Sequence, residues 1–400
     1  MKKSKRWYAL TLVFCMCLSL LTGCSNTPSN DATSLDGEST SDNSYDTSDT
    51  VIIPVLTNLN QSVGESVMAA LTLAKQEIEA EGGFGGRTIE FEYIEVGTDQ
   101  QASITASQKA ASVSGANAII GFYKSQWQIA ANDIFAQAQI PTMCLGNSVA
   151  VSEMGNDYVW ITRCLDNFTS AALADVATDT VGLKNPAIIY FANASGMSQY
   201  EYCKERLNEK GVEFAIELVF EDSTVTDFTS IITQLKASDA DGVIVFTTGG
   251  EDGYLLASQL YDQGYDLPIC AGVSMMATTS IANSSGGLEG WYGVTECSDS
   301  RPEFSTYYEN VQQIDGWPEG IYPAWTDAVA YDTLHLLAQA AEIVGSVAPE
   351  AINEGLKQIT EYNGAMYDYY YSDTHSFGHQ MFECHIQDGQ VVAGEQFYVE

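Results

Sequence analysis

Residues 51–96 read VIIPVLTNLNQSVGESVMAALTLAKQEIEAEGGFGGRTIEFEYIEV and contain one complete β–α–β unit. The β-branched run Val51–Leu56 predicts a buried strand. Apolar residues then recur every three or four positions, which predicts a helix over Ser66–Ala80. The glycines of Gly82–Gly86 end this helix and turn the chain into a second predicted strand, Thr88–Val96. The apolar positions of the helix are Val67, Ala70, Leu71, Ala74 and Ile78.

The same alternation of strand and helix continues and restarts near Tyr158, so that two β/α blocks follow one another. Alternating elements imply parallel sheets with helices on both faces, and we therefore predict an α/β fold. About 350 residues after Thr50 exceed what one core usually holds, so two domains are expected. The further predicted strands are Ala118–Phe122, Ile140–Leu145, Tyr158–Arg163, Ala187–Phe191, Glu213–Phe220, Gly242–Thr247, Pro268–Ala271 and Gly290–Thr295.

The C-terminal part has a different pattern, with three helices followed by three β-like runs. Gly389 separates the last two runs and predicts a hairpin, which must complete an existing sheet. The predicted helices are Pro302–Ile314, Ala324–Val344 and Pro349–Ile359, and the β-like runs are Ala365–Tyr371, Met381–Gln387 and Gln390–Phe397.

The N-terminus has the pattern of an export signal, because four cations among residues 2–6 precede the apolar run Trp7–Leu21. This run is shorter than the roughly 20 residues that span a bilayer as a helix. It ends in Leu21-Thr22-Gly23-Cys24, which resembles a bacterial lipobox. The resemblance implies that residues 1–23 are a lipoprotein signal peptide and that Cys24 carries the lipid.

Residues 24–50 predict a disordered tether, since 20 of the 26 residues from Ser25 to Thr50 are Ser, Thr, Asp or Asn and offer little apolar surface. The whole chain has a net charge of −37. Such a surface repels nucleic acid and anionic lipid head groups, so nucleic acid is excluded as a partner. The lipid on Cys24 is then the expected route to the membrane.

Known catalytic and cofactor motifs do not occur in the sequence. There is no G-x-S-x-G, phosphate-binding G-x-x-x-x-G-K-[ST], H-E-x-x-H, or G-x-G-x-x-G after a strand. We therefore expect no enzyme activity and no cofactor.

A candidate metal-binding cluster lies near the C-terminus, with His375, His379, Cys384 and His385 close in sequence. Neighbouring residues of a strand point to opposite faces, so a structural role is favoured over a metal site. The six cysteines after Cys24 are expected to be mostly buried free thiols.

A series of short motifs resembles the leucine/isoleucine/valine-binding family. No single motif is unique, but their order and spacing together are specific, and they cover nearly all of the chain after Thr50. The motifs are Pro54 to Asn58, Gly64, Ala69-Ala70, Ala74, Glu77-Ile78, Glu81 to Arg87, Asp99, Gly121 to Ser125, Ile140-Pro141, Arg163, Ala187 to Tyr190, Gly242 to Val245, Ala328 to Asp332 and Asp388-Gly389.

This resemblance implies the type I periplasmic binding protein fold. In that fold two Rossmann-like lobes with parallel sheets are joined by three crossovers, and the ligand is enclosed between them by hinge motion. The crossings are expected near Cys164, near Cys297 and after Tyr371. The N-terminal lobe is then expected to comprise residues 51–164 and 298–371, and the C-terminal lobe residues 165–297 and 372–400.

Ligands of open α/β sheets bind at the carboxyl ends of strands, which in the first lobe are Thr57–Gln61, Gly121–Ser125 and Gly146–Ser148. Asn58 in the first of these segments is a candidate contact. The resemblance assigns Ser125, Gly146 and Ser148 to the α-carboxylate of an amino acid. Ser125 is also a candidate helix N-cap, and the two roles are compatible.

The second lobe departs from the family pattern. Val273 aligns with the acidic residue that binds the α-ammonium group, and Ser195 and Val63 align with two aromatic contacts. Glu251 or Asp252 is a candidate replacement for the acid. The candidate aromatic walls are Tyr123, Trp127, Tyr322 and Trp325. For each of these replacements, core packing or surface placement is an equally acceptable role.

The leading hypothesis is an extracytoplasmic solute-binding lipoprotein of a bacterial ABC importer, anchored to the cell membrane through Cys24. It captures an amino acid, or a related small carboxylate or amide, without changing it and delivers it to a permease. The alternative is a ligand-sensing protein that signals to a membrane receptor, because the same fold serves both purposes.

Overall fold

A computed structural model describes residues 48–220, 225–247 and 251–398. Cys24, together with the predicted signal peptide and most of the tether, lies outside these residues, as do the side chains of Glu251 and two other residues. The strands are β1 (Thr50–Thr57), β2 (Thr88–Glu95), β3 (Ile119–Ile120), β4 (Thr142–Cys144), β5 (Val159–Cys164), β6 (Ala187–Phe191), β7 (Ile216–Phe220), β8 (Val243–Phe246), β9 (Ile269–Ala271), β10 (Tyr292–Thr295), β11 (Tyr362–Asn363), β12 (Asp368–Tyr369), β13 (Ser376–Gly378), β14 (Gln380–Gln387) and β15 (Gln390–Tyr398).

Helices separate most of these strands, as the apolar spacing predicts. A π-helical turn, Val176–Thr180, and a 3₁₀ turn, Val273–Met276, occur as well. The α-helices are α1 (Ser62–Ala80), α2 (Gln100–Ala111), α3 (Ser125–Ala130), α4 (Asn132–Ala138), α5 (Val149–Glu153), α6 (Asp166–Asp175), α7 (Ala194–Glu209), α8 (Thr229–Ala237), α9 (Glu251–Asp262), α10 (Thr278–Asn283), α11 (Pro302–Val311), α12 (Trp325–Val344) and α13 (Pro349–Leu356).

Two large sheets form within the described residues. The first has the order β13-β5-β4-β3-β1-β2 and is entirely parallel. The second has the order β15-β14-β10-β9-β8-β6-β7, in which only β14 and β15 run antiparallel to their neighbours. The predicted α/β fold with parallel sheets is confirmed, and the hairpin around Gly389 completes the second sheet through β14.

Each sheet contains one point where the strand order reverses. In the first sheet, Val55 of β1 lies opposite Tyr93 of β2 on one side and Ile120 of β3 on the other. In the second sheet, β6 lies between β7 and β8 in the same way. Ligands bind at such switch points, outside the carboxyl ends of the strands.

The region between α13 and β14 differs from the predicted pattern. Of the expected β run Ala365–Tyr371, only Asp368–Tyr369 is a strand (β12), and it pairs with β11 outside both large sheets. The reason is that the buried carboxylate of Asp332 on α12 accepts the backbone N–H groups of Ala365 and Met366, at 2.7 and 2.8 Å. These groups are therefore not available to a sheet.

The chain changes sheets later than the boundary expected after Tyr371. Strand β13 pairs with β5 in the first sheet, and the following strand β14 pairs with β10 in the second. The change of sheet therefore falls between Gly378 and Gln380. No helix of the described residues is long and apolar enough to cross a membrane.

Two glycines allow the helix after each central strand to pack tightly against it. A Cβ atom on Gly64, in the first turn of α1, would lie 1.7 Å from the carbonyl oxygen of Asn58. A Cβ atom on Gly196, in the first turn of α7, would lie 2.0 Å from the carbonyl oxygen of Phe191. Only glycine fits these positions, and in both sheets the strand at the switch point is therefore followed by the same close approach of helix to strand.

Candidate ligand site

A cavity of about 360 Å³ lies between the carboxyl edges of the two sheets. One wall comes from loops that follow β2, β3 and β4, and the other from the ends of β6, β8 and β9. Arg163 of β5 and Trp325 of α12 also line it. The residues of the first wall are Thr98, Tyr123, Lys124, Ser125, Gln126, Trp127 and Asn147, and those of the second include Phe191, Asn193, Ser195, Gly196, Gln199, Thr247, Val273 and Ser274.

Ser125, Gly146 and Ser148 come together at the first wall. The Oγ atom of Ser125 accepts the backbone N–H of Ser148 at 3.1 Å. A Cβ atom on Gly146 would lie 2.5 Å from that Oγ, so the residue must be small. Ser125 lines the cavity, whereas Ser148 is fully buried and caps α5 through Ala150.

The alternative role of Ser125 as a helix cap is not what the structure shows. Ser125 is the first residue of α3, and Lys124 occupies the N-cap position without a side-chain cap. The hydroxyl therefore connects α3 to the next loop. Its proton stays available for a hydrogen bond to a ligand, since Ser148 uses only its lone pair.

Tyr123 lines the cavity and Asn58 supports it from behind. The hydroxyl of Tyr123 donates to Oδ1 of Asn58 at 2.7 Å, and Nδ2 of Asn58 donates to the carbonyl of Gly97 at 3.0 Å. Burial raises the pKa of Tyr123 to about 12, and the charge of Glu95 adds to this. Tyr123 is therefore a neutral, oriented ring at neutral pH.

Lys124 and Trp127 belong to the same wall. The Nζ atom of Lys124 lies 4.5 Å from the centre of the Trp127 ring, a cation–π distance. The indole packs edge-on against Phe122 at 5.8 Å, which fixes its orientation. Lys124 is open to solvent, but the neighbouring protein removes part of its water shell and lowers its pKa, while the charge of Asp252 opposes this shift.

A buried ion pair closes the back of the cavity, where the chain crosses between the sheets. The Nε atom of Arg163 donates to Oε2 of Glu296 at 2.7 Å, and the other carboxylate oxygen accepts the hydroxyl of Tyr367. The guanidinium group also stacks on Trp325, 3.8 Å from the ring centre. Because Arg163 is the penultimate residue of β5 and Glu296 directly follows β10, the pair joins two of the segments where the chain passes between the sheets.

The second wall places the departures from the family pattern directly at the cavity. Val273 begins the 3₁₀ turn after β9 and is buried, and Ser195 lies in the first turn of α7. The hydroxyl of Ser195 accepts a hydrogen bond from Gln199 at 2.8 Å. Asp252 is 1% exposed and is not among the residues that line the cavity.

A second cavity of about 330 Å³ lies on the other side of Trp325. Tyr322 is 46% exposed and lines this second cavity rather than the first. Its carbonyl accepts the hydroxyl of Thr278 on α10 at 3.0 Å. The second cavity does not adjoin the switch points, so we regard the first as the ligand site.

Asp166 connects the two walls beneath the cavity. Its Oδ1 atom accepts the backbone N–H of Val149 at 3.0 Å and the hydroxyl of Ser198 at 3.2 Å. Val149 begins α5, next to the first wall, and Ser198 lies on α7 in the second. Burial raises the pKa of Asp166 to about 6, although these hydrogen bonds lower it.

The histidines near the C-terminus pack separately. His375 stacks on Trp160 at 4.3 Å and His379 on Tyr370 at 4.1 Å, while His385 faces Gln387. The six cysteines of the described residues are buried and free: Cys144, Cys164, Cys203, Cys270, Cys297 and Cys384.

The sequence analysis did not single out several residues of the cavity. Lys124 belonged to the predicted segment Gly121–Ser125 but was not weighed, although a lone cation in an acidic chain is a usable signal. Applying the switch-point rule to β6 and β8 would have indicated Asn193 and Thr247. None of the other candidates, Asn58, Gly146, Ser148 and Tyr322, lines the main cavity, and their contact with a ligand stays a prediction.

Residues 51–390 match the periplasmic binding protein family. The chain belongs to this family. Its members are solute-binding proteins rather than enzymes, and the predicted resemblance and type I fold are confirmed. This chain is accordingly a substrate-binding protein of the ABC transporter type.

The chain is similar to several proteins of known assignment. It is 24% identical over 308 residues to an amino acid binding protein of Pseudomonas aeruginosa, covering 75% of this chain and 80% of that one. It is also 24% identical over 327 residues to a Leu/Ile/Val-binding protein homolog of Brucella abortus, covering 80% and 85%.

Solved structures share the fold. The leucine binding protein LivK of Thermotoga maritima has a TM-score of 0.79 at 19% identity, covering 87% of this chain and 99% of that one. A solute binding protein of R. palustris in complex with 4-hydroxybenzoate has a TM-score of 0.78 at 18% identity, covering 88% and 97%.

Proposed function

We propose that this protein is the solute-binding lipoprotein of an ABC importer, and that it captures a small carboxylate or amide, amino acids included, and delivers it to a permease. The observation that carries the proposal is the cavity between the switch points of both sheets, with the hydroxyl of Ser125 in its wall. The names of the similar proteins, which bind amino acids or 4-hydroxybenzoate, support the same class of ligand.

We further propose that two lobes enclose this cavity. We propose residues 51–164 with 298–371 for one lobe and 165–297 with 372–400 for the other, apart from Ser376–Gly378, which pairs in the first sheet.

The proposed function includes a lipid anchor at Cys24. Replacement Cys24→Ser is expected to release the protein from membranes, and retention of this variant in the membrane fraction would contradict the anchor.

The binding function is tested with the full chain and a panel of amino acids, carboxylates and amides. A ligand at 100 times its Kd stabilises the folded state by about 2.7 kcal/mol, which raises the melting temperature measurably. Isothermal titration calorimetry then gives the Kd of each compound that shifts the transition. A panel in which no compound changes the melting temperature would argue against a carboxylate or amide receptor.

A further inference from the structure

The cavity wall has a charge opposite to that of the chain. Lys124 and Arg163 are the charged side chains among its described lining residues, and no described Asp or Glu side chain lines it. The chain as a whole carries a net charge of −37. The cations of this wall, and the lack of carboxylates among its described residues, therefore do not reflect the average composition of the chain.

Only one of these two cations is available to a ligand. Arg163 is buried and already paired with Glu296. Lys124 is exposed in the open cleft, and among the described residues its ammonium group makes a cation–π contact with Trp127 but no hydrogen bond. Enclosing this cation without an anion is unfavourable, because a charge then loses its water without gaining a partner.

Two residues of the wall carry further donors, beside the amide groups of Gln126, Asn147 and Gln199, which can both donate and accept. The hydroxyl proton of Ser125 is unused, and Nε1 of Trp325, a side chain that is 7% exposed, has no hydrogen-bond partner among the described residues. Two N–H or O–H donors and one ammonium group match the oxygens of a carboxylate. An ammonium group on a ligand would meet amide oxygens but no described carboxylate that could balance its charge.

The position that provides such an acceptor in the similar family is apolar here. Val273 lines the cavity at that position, and the nearby Asp252 is buried and does not line the wall, although its charge acts on Lys124. We infer that the site selects carboxylates that lack an ammonium group, with Lys124 as the counter-ion of the ligand. This inference rests on the proposed function and specifies the ligand class of the same cavity.

Matched ligands that differ only in the ammonium group test this selectivity. Leucine is compared with 4-methylpentanoate and 4-methyl-2-oxopentanoate, and phenylalanine with 3-phenylpropanoate, by calorimetry on the full chain. The deaminated acid of at least one set is expected to bind about tenfold or more tightly than its amino acid, since a buried ammonium group without a partner is costly. Tighter binding of the amino acid in both sets would overturn the inference but leave the proposed function intact.

Variants of Lys124 test the counter-ion directly. Lys124→Met is expected to weaken binding of the preferred acid by about tenfold or more, because a charge-assisted contact is lost. Lys124→Arg keeps the charge and is expected to retain most of the affinity. The control is Lys109→Met, since Lys109 pairs with Glu92 on the outer surface of the first lobe.

The outcomes separate the two proposals. Equal affinity of Lys124→Met and the unchanged protein, at unchanged melting temperature, would rule out Lys124 as the counter-ion. Failure of every compound to bind would instead remove the proposed function, and the inference with it.

Discussion

Ser125 contributes one hydroxyl to the cavity wall and holds the next loop through the N–H of Ser148. Replacement Ser125→Ala removes a hydrogen bond from a ligand oxygen and is expected to weaken binding by about 1–3 kcal/mol. Calorimetry measures the loss. The control is Ser112→Ala at the exposed end of α2, where affinity should not change. An unchanged affinity with lower stability would mean that Ser125 only stabilises the loop at Ser148 and does not contact the ligand.

The side chain of Asp166 has a higher pKa in the folded protein than in the unfolded chain, so stability depends on pH. Its pKa of about 6 lies above the usual 3.8, so the folded protein binds a proton that the unfolded chain does not between these values. Its contribution to stability is therefore fully present below pH 4 and is lost as pH rises through 6.

Replacement Asp166→Asn tests this dependence. The neutral amide still accepts hydrogen bonds from Val149 and Ser198, so the variant is expected to gain stability relative to the unchanged protein as pH rises from 4 to 7, by up to about 3 kcal/mol. Urea unfolding at each pH gives the difference. A difference that is constant with pH would place the carboxyl near its ordinary pKa.

Some individual residues of the candidate site could be predicted from the sequence. Ser125 and Gly146 follow from the position of strand ends and from family motifs, and the structure puts them in contact. Lys124 is a lone cation in an acidic chain, which is a usable signal, but a linear sequence does not show which charges face a cavity. Its position in a wall that also contains Val273, with Asp252 buried nearby, is set by tertiary packing.

At the scale of elements, a glycine allows the helix after each central strand to pack closely against that strand. Replacement Gly64→Ala would bring Cβ within 1.7 Å of a carbonyl oxygen, so α1 must shift. We expect a loss of about 2–3 kcal/mol in the free energy of unfolding, in the range of overpacked sites. Chemical denaturation measures it.

Gly86→Ala is the comparison for this variant. Gly86 has a φ of +83° and open space around it, so the change adds backbone strain of about 1 kcal/mol without a clash. If Gly64→Ala cost no more than Gly86→Ala, the first turn of α1 would be adaptable rather than fixed.

Most elements could be predicted because their apolar periodicity agrees with their final environment. The failures lie between α13 and β14. Ala365–Tyr371 has a strand-like composition, but a carboxylate 33 residues earlier in sequence binds its backbone. Ser376–Gly378 is too short and too polar for a pattern to reveal, and it pairs with β5 only because the fold brings it there.

For the whole molecule, the pair Arg163–Glu296 tests how firmly the crossings are joined. Glu296→Gln is expected to lower the free energy of unfolding by about 3–5 kcal/mol, because it leaves the buried guanidinium without a counter-charge. In a separate cycle of Arg163→Met, Glu296→Leu and their double variant, the double variant is expected to be more stable than either single variant. Denaturant titrations of all four proteins complete the cycle, and simple addition of the two single losses would show that the residues do not interact.

The two-lobe organisation was predictable from the sequence because the β/α pattern appears twice and is long enough for two cores. The position of the last crossing was not, since β13 and β14 follow each other with one residue between them and enter different sheets. Sequence patterns identify strands, but the choice of sheet depends on which edge is free.

The matching glycines of α1 and α7 give the cavity the same framework on both sides: a strand end, a tight turn and the start of a helix. Binding preference can therefore change one half-site at a time. The substitutions at Ser195 and Val273 alter one face while the serine and glycine of the other face remain. In related proteins, residue changes on one side of the cavity can therefore alter which solute is bound, while the scaffold of both sides is preserved.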